Sequence, residues 1–164
     1  MKRLAVFISH PIQYQAPLYR LLAQEKELDL TVYFYCRQGV EKRVDPQFRK
    51  EFQWDIPLLE GYKYKFLKNY SLLAGFHFFG FVNLGLLKEV FTNKFDAVLV
   101  HSWSYLSDWL VFVAALLART PILLRTENPL HQELLKAKWK LVIKKFLLGK
   151  VSLLPHRSFG KQDF

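Results

Sequence analysis

The sequence predicts an α/β fold, a parallel sheet flanked by helices, on three observations. Short runs rich in β-branched and aromatic residues alternate with segments whose apolar residues recur at helical spacing. One run, "FDAVLVHS" at 95–102, is apolar without alternation, as in a strand covered on both faces. With 164 residues, 51% of them hydrophobic, the chain is long enough for a single domain with a substantial core.

The opening "MKRLAVFISH" mimics a secretion leader, but its apolar run is shorter than the roughly 7 to 15 residues a leader needs, and no small-residue cleavage site follows. It reads as a strand over 3–8. Leu18, Leu21 and Leu22 then mark a helix over 17–25, with Pro17 suited to its first turn. "LDLTVYFY" at 28–35 completes a β-α-β unit. After an irregular, charged stretch at 37–50, "FQWDIPLL" at 52–59 is expected to be a third strand, ended by Gly61. A helix over 83–92, the strand in "FDAVLVHS", a helix over 104–119 and a strand in "PILLRTEN" follow. A last helix over 131–148 and a short strand "VSLL" at 151–154 close the alternation. Parallel strands need crossovers, and right-handed crossovers place the helices on both faces.

Composition bounds the function. The longest apolar window, "WLVFVAALLA" at 109–118, falls well short of the roughly 20 residues of a membrane span and reads as a buried helix. The single cysteine, Cys36, excludes an intrachain disulfide and leaves no thiolate set for zinc, so a metal site is not expected and the cytoplasm is the expected compartment. The net charge of +10 points to nucleic acid, an anionic membrane surface or phosphorylated ligands. "LLKAKWKLVIKKFLLGK" carries Leu135, Trp139, Val142, Ile143 and Phe146 on one helical face and Lys136, Lys140 and Lys144 in a row on another. That suits a membrane surface, and equally an ordinary helix docked on the sheet with its lysines solvated. "GYKYKFLKNYSLLAGFHFFGF" at 61–81 has eight tyrosines and phenylalanines and no acid. It either closes over the core or forms a groove for a lipid or glycan. No nucleic-acid motif accompanies its lysines, and nucleic acid is not an expected partner.

In open parallel sheets ligands bind at the carboxyl ends of the strands, so three loops carry the candidates: "SHPIQYQAP", "HSWSY" and "TENPLH". The first presents His10, Gln13 and Tyr14 where a dinucleotide site would need G-x-G-x-x-G. Pro11 holds His10 extended as it leaves the strand. His101 follows the central strand, placed to hydrogen-bond or deprotonate a sugar hydroxyl, with Trp103 beside it. Alternatively this stretch is a capping neighbourhood in which Ser102 or Ser104 caps the next helix. Arg125, Glu127 and Asn128 end the following strand, as a structural pair or as ligand contacts.

The phrases "SHPIQYQAPLYRLL", "WDIPLLEGYKYKFLKN", "FFGFVNLGLLKEVFTNKFDAVLVHSWSY" and "TPILLRTEN", in that order, resemble the N-terminal domain of glycosyltransferase family 4, enzymes of the GT-B fold, over nearly the whole chain. The resemblance implies a Rossmann-like domain, residues 1–164, that faces a second such domain across a cleft and holds the acceptor while the other holds a nucleotide-sugar donor. His101 then matches the histidine of the family's strand-end phrase as the catalytic candidate. His10, Gln13, Tyr14, Trp103, Glu127 and Asn128 become acceptor contacts. Two departures stand out: the first loop lacks the glycine common in relatives, and Trp103 stands where many have a second histidine. The donor-side domain, with its two glutamates separated by seven residues, is not in this sequence, and Glu127 and Glu133 lack that spacing. The chain therefore reads as cut within a larger protein, binding no cofactor itself and inactive alone. Many relatives use lipid-linked acceptors, which would give Lys136, Trp139, Lys140 and Lys144 a role at the inner membrane face. The alternative is a non-catalytic docking subunit that recruits a separate donor-binding chain to the membrane.

Overall fold

Strand β1 (Lys2–Ile8) lies inside a sheet of six strands and is apolar on both sides because both of its faces are covered. The computed structural model describes residues 1–40 and 57–125, together with the backbone of three short strands at 43–44, 51–52 and 151–154. β1 pairs in parallel with β2 (Leu28–Phe34) on one side, from Lys2 opposite Leu28 to Ile8 opposite Phe34. On the other side it pairs with β6 (Ala97–Val100), from Leu4 opposite Ala97 to Phe7 opposite Val100. In chain order the remaining elements are helix α1 (Ala16–Gln24), β3 (Arg43–Val44), β4 (Glu51–Phe52), β5 (Lys63–Phe66), a 3-10 turn (Phe78–Gly80), α2 (Gly85–Asn93), α3 (Leu106–Leu117), β7 (Ile122–Arg125) and β8 (Val151–Leu154). The sheet order is β5-β2-β1-β6-β7-β8 and every pairing in it is parallel. This is the expected α/β, Rossmann-like arrangement.

Period-two alternation sorts the side chains of these strands onto two cores. Ala5, Phe7, Val98, Val100, Ile122 and Leu124 face α2 and α3, where Leu86, Val90, Val111 and Phe112 meet them. Val6, Ile8, Leu30, Val32 and Phe34 face α1, packing on Tyr19, Leu22 and Ala23. The crossover from β1 to β2 runs one way along the sheet and that from β6 to β7 the other. A single hand of crossover puts their helices on opposite faces, as the two cores require.

The third strand is not where the sequence suggests. Phe52 belongs to β4, which pairs antiparallel with β3 in a separate two-stranded sheet, residues 53–56 lie outside the described residues, and 57–59 form no strand. The outer strand is β5, within the aromatic stretch at 61–81 that was not read as a strand. The physical reason is visible in "YKYKF". Tyr64 and Phe66 pack on Phe34, their ring centroids 6.4 and 5.3 Å from it, while Lys63 and Lys65 reach Asp29 and Glu89 from the other face. That is a largely exposed edge strand, with Phe66 alone partly buried. The helix expected at 131–148 lies outside the described residues. β8 occupies 151–154 as expected. Among the described residues no helix is long and apolar enough to cross a membrane.

Candidate functional site

β1 and β6 are neighbours, but the chain leaves their carboxyl ends in opposite senses. Residues 9–15 run to α1 on one face and 101–105 to α3 on the other. This is the point where the strand order reverses, and diverging connections open a crevice there. A cavity of about 260 Å³ occupies it. Ser9 and His10 form one wall, His101, Ser102, Trp103 and Ser104 the other, and Phe76 and Tyr105 close the side.

His101 sits at the bottom of the second wall. Its backbone N–H donates to the Phe7 carbonyl at 3.2 Å, prolonging the β1–β6 ladder by one residue. Its Nε2 lies 3.1 Å from the Tyr19 hydroxyl, supplied by α1. Burial, reinforced by the positive charge of Arg125, pushes its pKa down to about 4. The imidazole is therefore neutral near pH 7, and a group so weakly basic serves as a hydrogen-bonding partner better than as a proton acceptor. On the opposite wall His10 Nδ1 lies 2.9 Å from Ser9 Oγ, and the ring meets Phe76 edge-on at 5.3 Å. Burial lowers its pKa as well.

The loop 101–105 is fixed from behind by Asp108, a buried carboxyl in the first turn of α3. Its Oδ1 accepts the Tyr35 hydroxyl at 2.9 Å and its Oδ2 the Tyr105 N–H at 3.1 Å, with the Ser102 hydroxyl and the Ser104 amide as further donors. Tyr105 occupies the N-cap, so neither serine caps α3. Burial pushes the carboxyl up to about 7, against the pull of those hydrogen bonds. The first loop is tied across the sheet: Arg125, at the end of β7, donates from Nη1 to Gln15 Oε1 at 3.1 Å.

Phe76 comes from the aromatic stretch at 61–81, whose sequence suggested a cover for the core or a groove without marking this residue. Residues 69–82 close on themselves through Asn69, whose Oδ1 accepts the Ser71 and Val82 N–H groups at 3.0 and 2.9 Å and whose Nδ2 donates to the Gly80 carbonyl at 2.8 Å. The Ser71 hydroxyl donates to Phe79 O at 2.7 Å, and His77 Nε2 lies 2.8 Å from Leu73 O. Gly80 lies so close to Gly75 that a Cβ on it would meet the Gly75 carbonyl oxygen at 1.8 Å. This is an Ω-type loop, ends together and internally bonded.

Of the candidates read from sequence, the structure gathers His10, His101 and Trp103 around one cavity. Gln13 and Tyr14 are not among the residues that line it, and the Tyr14 side chain is exposed. Glu127, Asn128, Lys136, Trp139, Lys140 and Lys144 lie outside the described residues. Ser9, Tyr19, Phe76, Tyr105 and Asp108 were missed. Ser9 and Tyr105 lie in the candidate loops and Phe76 in the aromatic stretch without having been named, and Asp108 left a trace as the one acid inside an apolar helix.

No family model, no curated protein and no solved structure matches the chain.

The site's meaning therefore comes from its own chemistry. Its polar groups are neutral imidazoles and hydroxyls beside aromatic rings, a set suited to a hydroxylated, uncharged ligand. No glycine occurs in 9–15 to let a pyrophosphate approach the backbone. Among the described residues no group of three His, Cys, Asp or Glu side chains is gathered that could hold a metal ion.

Proposed function

We propose that this chain is the acceptor-side domain of a retaining, nucleotide-sugar-dependent glycosyltransferase of the family 4 type, acting in cell-surface polysaccharide or glycolipid synthesis at the cytoplasmic face of a membrane. The observation that carries the reading is the crevice between β1 and β6, walled by neutral histidines, serines and aromatic rings in place of a glycine-rich phosphate turn. In this reading His101 touches the acceptor hydroxyl that reacts and orients it by hydrogen bonding, because a group with a pKa of about 4 is a weak base at neutral pH. His10 and the serines hold neighbouring hydroxyls, and Trp103 and Phe76 offer apolar surface to a sugar ring. The nucleotide-sugar donor is held elsewhere, by a second domain or chain.

Saturation-transfer NMR against a panel of mono- and disaccharides tests this. A sugar should bind with its contacts at the imidazole and aromatic protons of the cavity, and His10→Ala and His101→Ala should each weaken it. The purified chain given nucleotide sugars should transfer nothing. Transfer without a second chain, or tighter binding of a nucleotide sugar than of any free sugar at this cavity, would overturn the reading.

A further inference from the structure

On the far side of Phe76 lies a second cavity of about 390 Å³, between the end of β2 and the 69–82 loop. Arg37 and Lys68 stand on its wall, and no acidic residue is among the described residues that line it. Each cation is steadied by an aromatic face: the Arg37 guanidinium lies 4.9 Å from the Phe66 ring centroid and the Lys68 ammonium 5.0 Å from that of Tyr70. Acids are absent from the sequence between Glu60 and Glu89, the stretch that supplies most of the cavity's lining.

The loop that walls this cavity turns its large apolar side chains outward. Tyr70, Leu72, Leu73, Phe76, Phe78 and Phe79 are all exposed, Leu72 fully. This is not a consequence of an unfolded segment, since the backbone groups described above are tied by Asn69, Ser71 and His77. A loop held closed by its polar groups while it presents leucines and phenylalanines to solvent marks a contact with something apolar. Two cations on the wall of the cavity that the loop shares add an affinity for an anion.

We propose that this second cavity binds a phosphate group carried by a lipid, with Arg37 and Lys68 on the phosphate oxygens and the hydrocarbon laid along Leu72, Leu73 and Phe79. The inference does not rest on the transferase reading, because binding is measured with no sugar and no donor present.

The probe is dihexanoyl phosphatidic acid below its micelle-forming concentration, titrated into the purified chain by calorimetry, with inorganic phosphate and dihexanoyl phosphatidylcholine as comparisons. Phosphatidic acid should bind more tightly than either. Arg37→Gln with Lys68→Gln should weaken it by roughly thirtyfold, through loss of two charge-assisted hydrogen bonds in a partly solvated mouth. Leu72→Ser with Leu73→Ser should weaken it by roughly tenfold, through lost apolar burial. All four side chains are exposed, so both double variants keep the fold, and Arg37→Lys with Lys68→Arg should retain binding. Equal affinity for inorganic phosphate makes this a free-anion site and overturns the lipid. Equal affinity for phosphatidylcholine reduces it to apolar adhesion and overturns the phosphate. No binding, or variants that bind like the parent, overturns both.

Discussion

Two loops meet at Phe76, and they are held in opposite ways. The 101–105 loop is tied through the Ser102 hydroxyl and the Ser104 and Tyr105 amides to a buried carboxyl that belongs to the helix behind it. The 69–82 loop keeps its polar groups occupied with its own backbone and leaves its apolar side chains in water. The first is organised by the sheet and its helix, and its geometry is inherited from the core. The second is organised by itself and owes the core little more than its two ends. The contrast teaches that a ligand-facing surface can be prepared either by burying a carboxyl that fixes a loop from behind or by closing a backbone to display hydrocarbon. In this molecule the two devices stand side by side.

The sharpest way to break the comparison is to open the self-organised loop. Gly80→Ala drives a Cβ into the Gly75 carbonyl, which is backbone and cannot rotate aside. It should cost about 4 kcal/mol or unlock the loop altogether, read by chemical denaturation and by protease cutting within 69–82. Equal stability of variant and parent would show that the loop's closure is not structural.

The core-organised loop answers to pH. His101 in the folded chain has its pKa lowered to about 4 from an ordinary 6.5, so the unfolded chain binds the proton first as pH falls. The favourable neutral state is fully present above pH 6.5, and stability is lost between there and pH 4, by about 3 kcal/mol. Asp108, raised to about 7, has the opposite slope: the folded chain holds its proton, and that advantage fades as pH rises from about 4 to 7. Comparing the parent with His101→Asn in urea at pH 8 and pH 4.5 cancels the Asp108 contribution, which both proteins share. The difference between them should narrow at the lower pH, and a difference that stays constant would remove His101 from the titration.

Asp108→Ala should have a smaller effect, about 2 kcal/mol, because stranding the Tyr35 hydroxyl and the Tyr105 amide is partly offset by losing a carboxyl that is itself expensive to bury. The 101–105 loop should loosen, read as faster amide exchange at Tyr105. The smallest effect belongs to Leu72→Ser, which should change stability by less than about 0.5 kcal/mol in the absence of ligand because the side chain is already in water. A larger loss would mean that the ridge is part of the core.

What could be read in advance follows the same division. β1, β2, β6 and β7 carry core side chains on both faces, and such strands announce themselves by runs of apolar, β-branched and aromatic residues. With the helices between them they determine the parallel order, and the order determines where the crevice opens. His10, His101 and Trp103 were legible for that reason: each lies within three residues of a buried strand's carboxyl end. β5 was not, because a largely exposed edge that alternates lysine with aromatic residues looks like a charged aromatic loop. Phe76 belongs to a stretch that its aromatics had flagged, but its place at the cavity depends on Asn69 reaching Gly80 and Val82 across the loop. Tyr19 and Asp108 reach the site from helices, through contacts 82 residues apart in the one case and 73 in the other, and no local pattern encodes such pairs.

An open sheet has margins, and a margin offers its free backbone to any other chain that comes within reach. β5 is such a margin, and its two lysines are anchored, one to Asp29 on the neighbouring strand and one to Glu89 on α2. A second copy approaching edge to edge would have to strip water from both pairs and bring four lysines together. The strand that was hardest to recognise thus carries charged pairs at the open margin, which raise the cost of pairing there with another copy.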